Sequence, residues 1–290
     1  MLQLVLLSTG YLLISVLILR SLWLIDNQIN QSTKPLFLTC SASIVLFYFS
    51  DQLALFMVPA LLVFIGLGAF LSKIENTRIK TSLATLLVFI CFALAAHLFP
   101  GIENYILYEQ SVISEAAAPI NIKANIDKAL AGFILLLMLI TLKFQASSGL
   151  KKPRFRFVPL YIASVLLVAY LTGLELDIKL PEETLAFIVT NLLFSVIAEE
   201  ALFRGIIQNG LIKIFKNKTQ FAVHLGIILS SLIFGLVHFG GGWHFVVLAT
   251  FAGFIYGMAY QLSGRLSVAI ITHLGVNVGH FLLLVYPVPK

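Results

Sequence analysis

An apolar stretch in the second half of the chain contains two acids and an arginine. Residues 184–213 read TLAFIVTNLLFSVIAEEALFRGIIQNGLIK, with Glu199, Glu200 and Arg204 near the middle. The stretch is longer than the roughly 20 apolar residues that cross a bilayer core as a helix. An ionisable side chain at bilayer depth costs about 3 kcal/mol even on lenient insertion scales, so it is a candidate for function. The stretch therefore predicts a membrane span that carries a functional site.

The composition of the whole chain is that of a membrane protein. Of its 290 residues, 60% are hydrophobic and 11% are charged, and the mean hydropathy is +1.01. These values leave too little polar surface for a water-soluble globule. The formal net charge of +6 comes from short loops between apolar runs, where positive charge reports orientation in the membrane. We therefore expect the lipid bilayer as a partner and no nucleic acid. Cys40 and Cys91 both lie inside apolar runs, so we expect packing and no disulfide.

Ten apolar runs predict an all-α fold, a polytopic transmembrane helical bundle of about ten spans. Asp51 and Pro59 interrupt the second and third runs, which could form a re-entrant hairpin instead. The first run is too long for a signal-peptide core and lacks a basic segment before it, so we expect a retained span. The runs cover residues 2–25, 35–50, 52–73, 80–99, 129–146, 158–175, 184–213, 221–239, 245–263 and 266–286.

The longest polar connection divides the chain. It runs from Pro100 to Lys128 and could include a surface helix. The unusual polar residues gather after it, so we predict an N-terminal region of unknown role, 1–128, and a functional helical core, 129–290.

Basic residues fall mainly on one side of the predicted spans. Cytoplasmic loops carry the excess of basic residues, so the richer face is predicted to be cytoplasmic and both termini non-cytoplasmic. That face receives fourteen residues, Arg20, Lys34, Lys73, Arg78, Lys80, Lys143, Lys151, Lys152, Arg154, Arg156, Lys213, Lys216, Lys218 and Arg265. The opposite face receives four, Lys123, Lys128, Lys179 and Lys290.

The acids of residues 184–213 are spaced for different partners. Glu200 and Arg204 are four residues apart, the spacing at which an acid and a base on one helix form an ion pair. Glu199 is rotated by about 100° on a regular α-helix and is predicted to face another neighbour. One carboxylate is thus expected to be neutralised within its own helix and the other to be available for chemistry.

Later spans supply histidines and a carboxamide at helical spacing. Phe234 and His238 are four residues apart, which places Phe234 as an apolar wall beside the histidine. His273, Asn277 and His280 form one polar stripe along the last predicted helix. We expect His280 to serve packing or to support its neighbours on the stripe, and not to act in catalysis.

These residue types fit water-mediated cleavage of an amide bond. A carboxylate beside a histidine in a dry cavity can activate water as a general base, and a second histidine and an asparagine can stabilise the oxyanion. The sequence contains no G-x-S-x-G motif, no H-E-x-x-H motif and no pair of aspartates within spans. A glutamate-driven hydrolysis is therefore favoured over serine, zinc-helix and aspartyl mechanisms.

Three ordered motifs resemble a known family. They are Glu199-Glu200-x-x-x-Arg204, Phe234-x-x-x-His238 and His273-x-x-x-Asn277. This arrangement resembles the CPBP family, the CAAX-protease and bacteriocin-processing glutamic intramembrane endopeptidases, also called Abi proteins. The resemblance covers roughly residues 129–286.

The resemblance implies a role for each motif residue. Glu199 and His238 would activate water, His273 and Asn277 would stabilise the oxyanion, and Glu200 with Arg204 would form the orienting pair. It also implies an enzyme that needs no metal and no other cofactor.

The resemblance further implies a multi-pass protein of the bacterial inner membrane. From the predicted orientation and the depth of the motifs we expect the substrate to be a membrane-anchored or exported protein or peptide, cleaved near the anchor during processing or sorting. The depth of the motifs along their spans favours a bond toward the outer half of the bilayer.

Two other functions stay open from the residues alone. Glu199, His238 and His273 are of the types that ligate zinc, so a metal-dependent membrane hydrolase is one alternative. A non-catalytic immunity or scaffold protein that kept the cavity for binding is the other. Residues 239–245, FGGGWHF, are predicted to form a tight turn over the mouth of the site, where gating of substrate is a hypothesis.

Overall fold

The predicted helical bundle is confirmed by the computed structural model, which describes residues 1–29, 31–143 and 155–287. Within those ranges each of the ten predicted runs coincides with a helix. We number them α1 (Leu2–Asp26), α2 (Lys34–Phe49), α3 (Met57–Phe70), α4 (Thr77–Ala95), α5 (Ile126–Leu142), α6 (Val158–Leu171), α7 (Thr184–Phe215), α8 (Ala222–Val237), α9 (Gly242–Ser263) and α10 (Leu266–Leu283).

The apolar helices fall into two length classes. In the described part of the chain, five are long and apolar enough to cross a membrane, namely α1, α4, α7, α10 and α9 with the turn before it. The shorter apolar helices are Lys34–Phe49, Met57–Lys73, Phe155–Leu171 and Ala222–Val237. The orientation stays a prediction, and four of its basic residues, Lys151, Lys152, Arg154 and Lys290, lie outside the described residues.

The prediction of a surface helix between Pro100 and Lys128 is wrong. This connection instead forms a two-stranded sheet of β1 (Tyr105–Ser111) and β2 (Ile120–Ala124). Along β2 the side chains of Ile120, Ile122 and Ala124 are buried and the two between them are exposed. That alternation is typical of a strand with one buried face. The same alternation of apolar and polar residues is present in the sequence INIKA of residues 120–124.

The chain forms two compact units built from alternating segments. Unit 1 consists of residues 1–105, 123–144 and 193–202. Unit 2 consists of residues 106–122, 145–192 and 203–290.

Helix α5 is the centre of unit 1. It is apolar on all sides and almost every residue of it is buried, as expected for a helix surrounded by other helices. It packs against α1, α3, α4 and the segment Ile197–Glu200 of α7. A Cβ atom at Gly132 would lie 3.1 Å from the Cβ of Ala198, so glycine permits this close approach. The acidic motif is therefore backed by the core of unit 1.

A polar cluster fixes the start of α5. Asp127 is buried, and its carboxylate lies 2.5 Å from Nδ1 of His97 and accepts a hydrogen bond of 3.1 Å from Asn104. Asn104 also accepts a hydrogen bond of 2.7 Å from the backbone N–H of Ile126. An acid in the first turn complements the positive end of the helix dipole. This cluster holds α5 at one end of unit 1.

Close packing of α8 on α9 organises unit 2. A Cβ atom at Gly253 would lie 3.1 Å from Cδ1 of Phe234, and one at Gly257 would lie 2.8 Å from the side-chain oxygen of Gln208. Gly253 and Gly257, spaced as G-x-x-x-G, therefore permit close packing of α9 against its neighbours. Helix α10 packs against α6, α9 and the first turns of α7.

A short backbone pairing ties the α6–α7 connection to the end of α10. Asp177 and Lys179 donate backbone hydrogen bonds of 2.9 Å to Leu283 and Leu282. The ammonium of Lys179 lies 2.8 Å from the carboxylate of Asp177, which also accepts a 2.6 Å hydrogen bond from Ser114. Hydrogen bonds from Lys179 and Ser114 hold the pKa of Asp177 below its ordinary value of 3.8.

The lowered pKa of Asp177 predicts an acid-sensitive contribution to stability. A carboxyl group whose pKa is lowered by folding stabilises the folded state fully above its ordinary pKa. We therefore expect Asp177→Asn to lower the melting temperature in detergent at neutral pH. The difference from wild type should shrink as the pH falls below 3.8 and vanish below the lowered pKa.

The matched control is Glu175→Gln, an exposed acid two residues away in the same segment. It should leave the melting temperature unchanged across the same pH range. If the difference in melting temperature between Asp177→Asn and wild type stays constant with pH, the ionised carboxylate of Asp177 does not stabilise the folded state.

Candidate active site

Three of the predicted site residues line one cavity in unit 2. His238 enters from the end of α8, and His273 and Asn277 enter from α10. The cavity has a volume of about 90 Å³, and its remaining walls are mostly apolar side chains of α6 and α9. One buried water needs about 10–15 Å³ by the same measure, so there is room for several waters but not for a peptide.

The ring of His238 is held by its own helix. Its Nδ1 lies 2.7 Å from the carbonyl oxygen of Phe234, one turn earlier. A carbonyl only accepts, so the neutral ring carries its proton on Nδ1 and keeps a lone pair on Nε2. The ring also lies against Phe234 and Phe245, with centroid distances of 4.5 and 5.8 Å. His238 is therefore oriented as an acceptor for a proton or a hydrogen bond at Nε2.

His273 is fixed by aromatic contacts. It is buried, with 4% of its surface exposed, and its ring stacks on Tyr256 at 4.4 Å and 15°. The edge of Phe234 meets it at 5.7 Å and 84°. Two contacts at right angles leave the imidazole little freedom to rotate. Tyr256 is a wall residue that the sequence analysis did not identify.

Asn277 is positioned by an asparagine that the sequence analysis missed. Its Nδ2 donates a hydrogen bond of 2.9 Å to Oδ1 of Asn191 on α7. The amide nitrogen has a second N–H, which can serve a reacting oxygen. A neutral asparagine inside an apolar run was the available signal, but it is not ionisable and therefore was not a candidate.

Arg204 lies among three aromatic residues, two of which, Phe234 and Tyr256, also line the cavity. Its guanidinium carbon lies 5.1 Å from the ring centre of Phe234, and 5.9 Å from those of Phe203 and Tyr256. The side chain is fully buried. A desolvated guanidinium over an aromatic face is stabilised by about 2 kcal/mol. Phe234 thus contacts Arg204, His238 and His273 at once.

Helix α7 is not a regular α-helix around the acidic motif. Ile197–Glu200 is α-helical, but Leu192–Val196 before it and Ala201–Gln208 after it are π-helical. The 100° rotation predicted between Glu199 and Glu200 agrees with their α-helical segment. The four-residue spacing of Glu200 and Arg204 assumed a regular α-helix and needs correction, because it runs into the π-helical segment. Such π-helical turns occur frequently at functional sites. Glu200 is fully buried and Glu199 is half-buried.

The predicted residues fall in both units. His238, His273, Asn277 and Arg204 come together in unit 2 around Phe234 and Tyr256. Glu199 and Glu200 belong to the segment 193–202 of unit 1. The pairing of Glu199 with His238 and of Glu200 with Arg204 stays a prediction.

Two further predictions concern unit 2. His280 lines the same cavity as His273 and Asn277, and its Nε2 lies 3.1 Å from the carbonyl oxygen of Val285, so its packing or supporting role stays a prediction. The predicted turn in FGGGWHF is present, because Phe239–Gly241 forms a 3₁₀ turn and Gly242 has a φ of 82°. That φ favours glycine. Trp243 is exposed beside the turn, and its gating role stays a hypothesis.

Comparison with known families gives one match. Residues 181–279 match the family model described as type II CAAX prenyl endopeptidase, Rce1-like. No curated protein and no solved structure matched the chain. The matched range is shorter than the 129–286 that the motif resemblance suggested, and it contains all six predicted site residues. The family match confirms, over residues 181–279, the resemblance to CPBP and CAAX endopeptidases that the three motifs predicted.

Proposed function

We propose that the protein is an intramembrane endopeptidase that hydrolyses a peptide bond near a membrane anchor, with water activated by Glu199 and His238. The observation that supports this most directly is the fixed ring of His238, whose Nε2 accepts in a cavity sized for water. The match of residues 181–279 to CAAX prenyl endopeptidases supports the same reaction class.

In the proposed first step, water adds to the carbonyl carbon of the substrate. The carboxylate of Glu199 takes one proton from the water, and Nε2 of His238 accepts a hydrogen bond from its other O–H group. The new C–O bond converts the carbonyl oxygen to an oxyanion. The second N–H of Asn277 and the imidazole of His273 donate to this oxyanion, and a single such donor is commonly worth about 100- to 1,000-fold in rate.

In the second step the tetrahedral intermediate collapses. The C–N bond breaks, and the proton held by Glu199 passes to the leaving amine. The products are a new carboxylate and a new amino terminus. In this proposal Glu200 and Arg204 act as a positioning pair, which leaves Glu199 for chemistry.

The substrate is proposed to be a membrane-anchored or exported protein of a bacterial inner membrane. The cavity has room for water but not for a peptide, so the scissile bond must approach from its open side. A segment already held at the membrane by an anchor reaches such a site with little loss of translational freedom.

A comparison of protein termini tests the activity and identifies the substrate together. Membrane proteins from cells that carry the wild type or Glu199→Ala are analysed by mass spectrometry of their new termini. We expect at least one terminus that is present with wild type and lost with Glu199→Ala, because removing the proton acceptor removes general-base catalysis.

The control is Glu115→Ala, an exposed acid outside the site, which should give the same termini as wild type. Equal expression of the three proteins is checked by immunoblot. Termini that are identical in wild type and Glu199→Ala would contradict the endopeptidase, and a biological activity kept by that variant would favour a binding role.

Asn191 is expected to act as a positioning residue for Asn277. Asn191→Leu removes the acceptor of the 2.9 Å hydrogen bond and keeps the branched shape of the side chain, so the amide of Asn277 can turn away from the oxyanion. We expect kcat to fall by up to about 100-fold with little change in KM, because a small misplacement affects mainly the transition state. The values of kcat and KM are measured with the peptide substrate that the comparison of protein termini identifies.

Two further variants separate positioning from folding. Asn191→Asp keeps an acceptor oxygen and should restore most of kcat. Asn209→Leu, on the same helix, removes a buried hydrogen bond of 2.8 Å to Tyr260 without touching Asn277, and should leave kcat near wild type. Equal losses of kcat in Asn191→Leu and Asn191→Asp would show that the hydrogen bond to Asn191 does not position Asn277.

A further inference from the structure

A basic pocket lies in unit 1, where the ends of three helices meet. It is formed by the start of α2, the turn after α3 and the end of α5. Its volume is about 220 Å³, many times the 10–15 Å³ or so that one water requires. Lys34, Lys73 and Lys143 line it together with hydroxyl groups such as Ser32 and Ser72, and the described lining residues include no acid.

The position of Lys34 is electrostatically unfavourable without an anion. It is the first residue of α2, and the first turn contains no acid. The N-terminus of a helix carries a partial positive charge that favours anions and disfavours cations. A lysine at this place therefore has no stabilising role in its own helix.

The other two lysines have different local roles. Lys143 follows the end of α5, where a cation complements the helix dipole. The ammonium of Lys73 lies 4.9 Å from the ring centre of Phe70, which keeps it at the pocket. Among the described residues, none of the three lysines forms an ion pair with an acid. Three cations and several hydroxyl donors thus converge on one concavity.

We propose that this pocket binds a phosphate group, supplied by the headgroup of an anionic lipid. All three lysines belong to the face that the distribution of basic residues predicts to be cytoplasmic, and basic pockets between membrane helices on that side suit anionic headgroups. Leu38, one turn into α2, exposes 66% of its surface and offers an apolar path for an acyl chain. A bound headgroup neutralises Lys34 and bridges α2 to α3 and α5.

Lipid binding to the purified full-length protein tests this proposal. The pocket variant combines Lys34→Gln with Lys73→Gln and keeps Lys143 at the end of α5. The matched control combines Lys80→Gln with Lys213→Gln, which removes equal charge from the same predicted face outside the pocket. Melting temperature is measured in detergent with added phosphatidylglycerol, phosphatidylcholine or inorganic phosphate, and native mass spectrometry counts retained lipids.

We expect phosphatidylglycerol, and not phosphatidylcholine, to raise the melting temperature of wild type and of the control variant. Each lysine near an anionic headgroup contributes about a fivefold factor, so the pocket variant should bind phosphatidylglycerol about 25-fold more weakly. It should also lose the retained lipid. If inorganic phosphate raises the melting temperature of wild type and not that of the pocket variant, the pocket is a phosphate site whose ligand is free phosphate.

The proposal is overturned if the pocket variant binds phosphatidylglycerol as tightly as the control variant, or if both lipids act equally on wild type. If the pocket variant does not fold, the single variant Lys73→Gln replaces it, because this exposed side chain lies at the end of a 3₁₀ turn and outside α2 and α5. About a fivefold weakening is then expected, and unchanged binding contradicts the site.

Discussion

The hydrogen bond from Nδ1 of His238 to the carbonyl oxygen of Phe234 is the contact on which the candidate site depends. It fixes the tautomer of the imidazole and directs the acceptor nitrogen away from its own helix. The same Phe234 side chain contacts His273 and lies over the guanidinium of Arg204. One helical turn therefore sets the orientation of a potential base and the apolar wall around it. Such a wall keeps the dielectric low, which strengthens every electrostatic contact in the site.

A bilayer imposes a second requirement, because polar groups within it must find partners inside the protein. Unit 2 meets this requirement with neutral hydrogen bonds and aromatic faces. Asn191 accepts from Asn277, and Tyr256 stacks on His273. Unit 1 uses a different solution at the membrane boundary, where Asp127 is bonded by His97 and Asn104 at the start of α5. Within the described residues the three lysines of the basic pocket form no ion pair with an acid, and this is the basis of the anion site proposed there.

Hydropathy and spacing predicted much of this architecture. The ten apolar runs coincide with ten helices within the described residues, and five of these helices are long and apolar enough to cross a membrane. The spacing of Phe234 and His238 predicted their contact, since residues four apart share a helix face. The π-helical turns of α7 were missed, because they depend on which carbonyl each N–H selects and not on hydrophobicity. Asn191 was missed because a neutral amide costs less free energy within an apolar run than an ionisable side chain does. Strand β2 was missed because its alternation of buried and exposed residues is short.

The central claim is that Glu199 and His238 act together on one water molecule. A double-mutant cycle with Glu199→Gln and His238→Gln measures this directly in the kcat of peptide hydrolysis. Residues that act as a unit are not additive, so each single variant should lose about 100- to 10,000-fold and the double variant should lose no more than the worse single one. Losses that multiply in the double variant, or a single variant with wild-type kcat, would contradict the account.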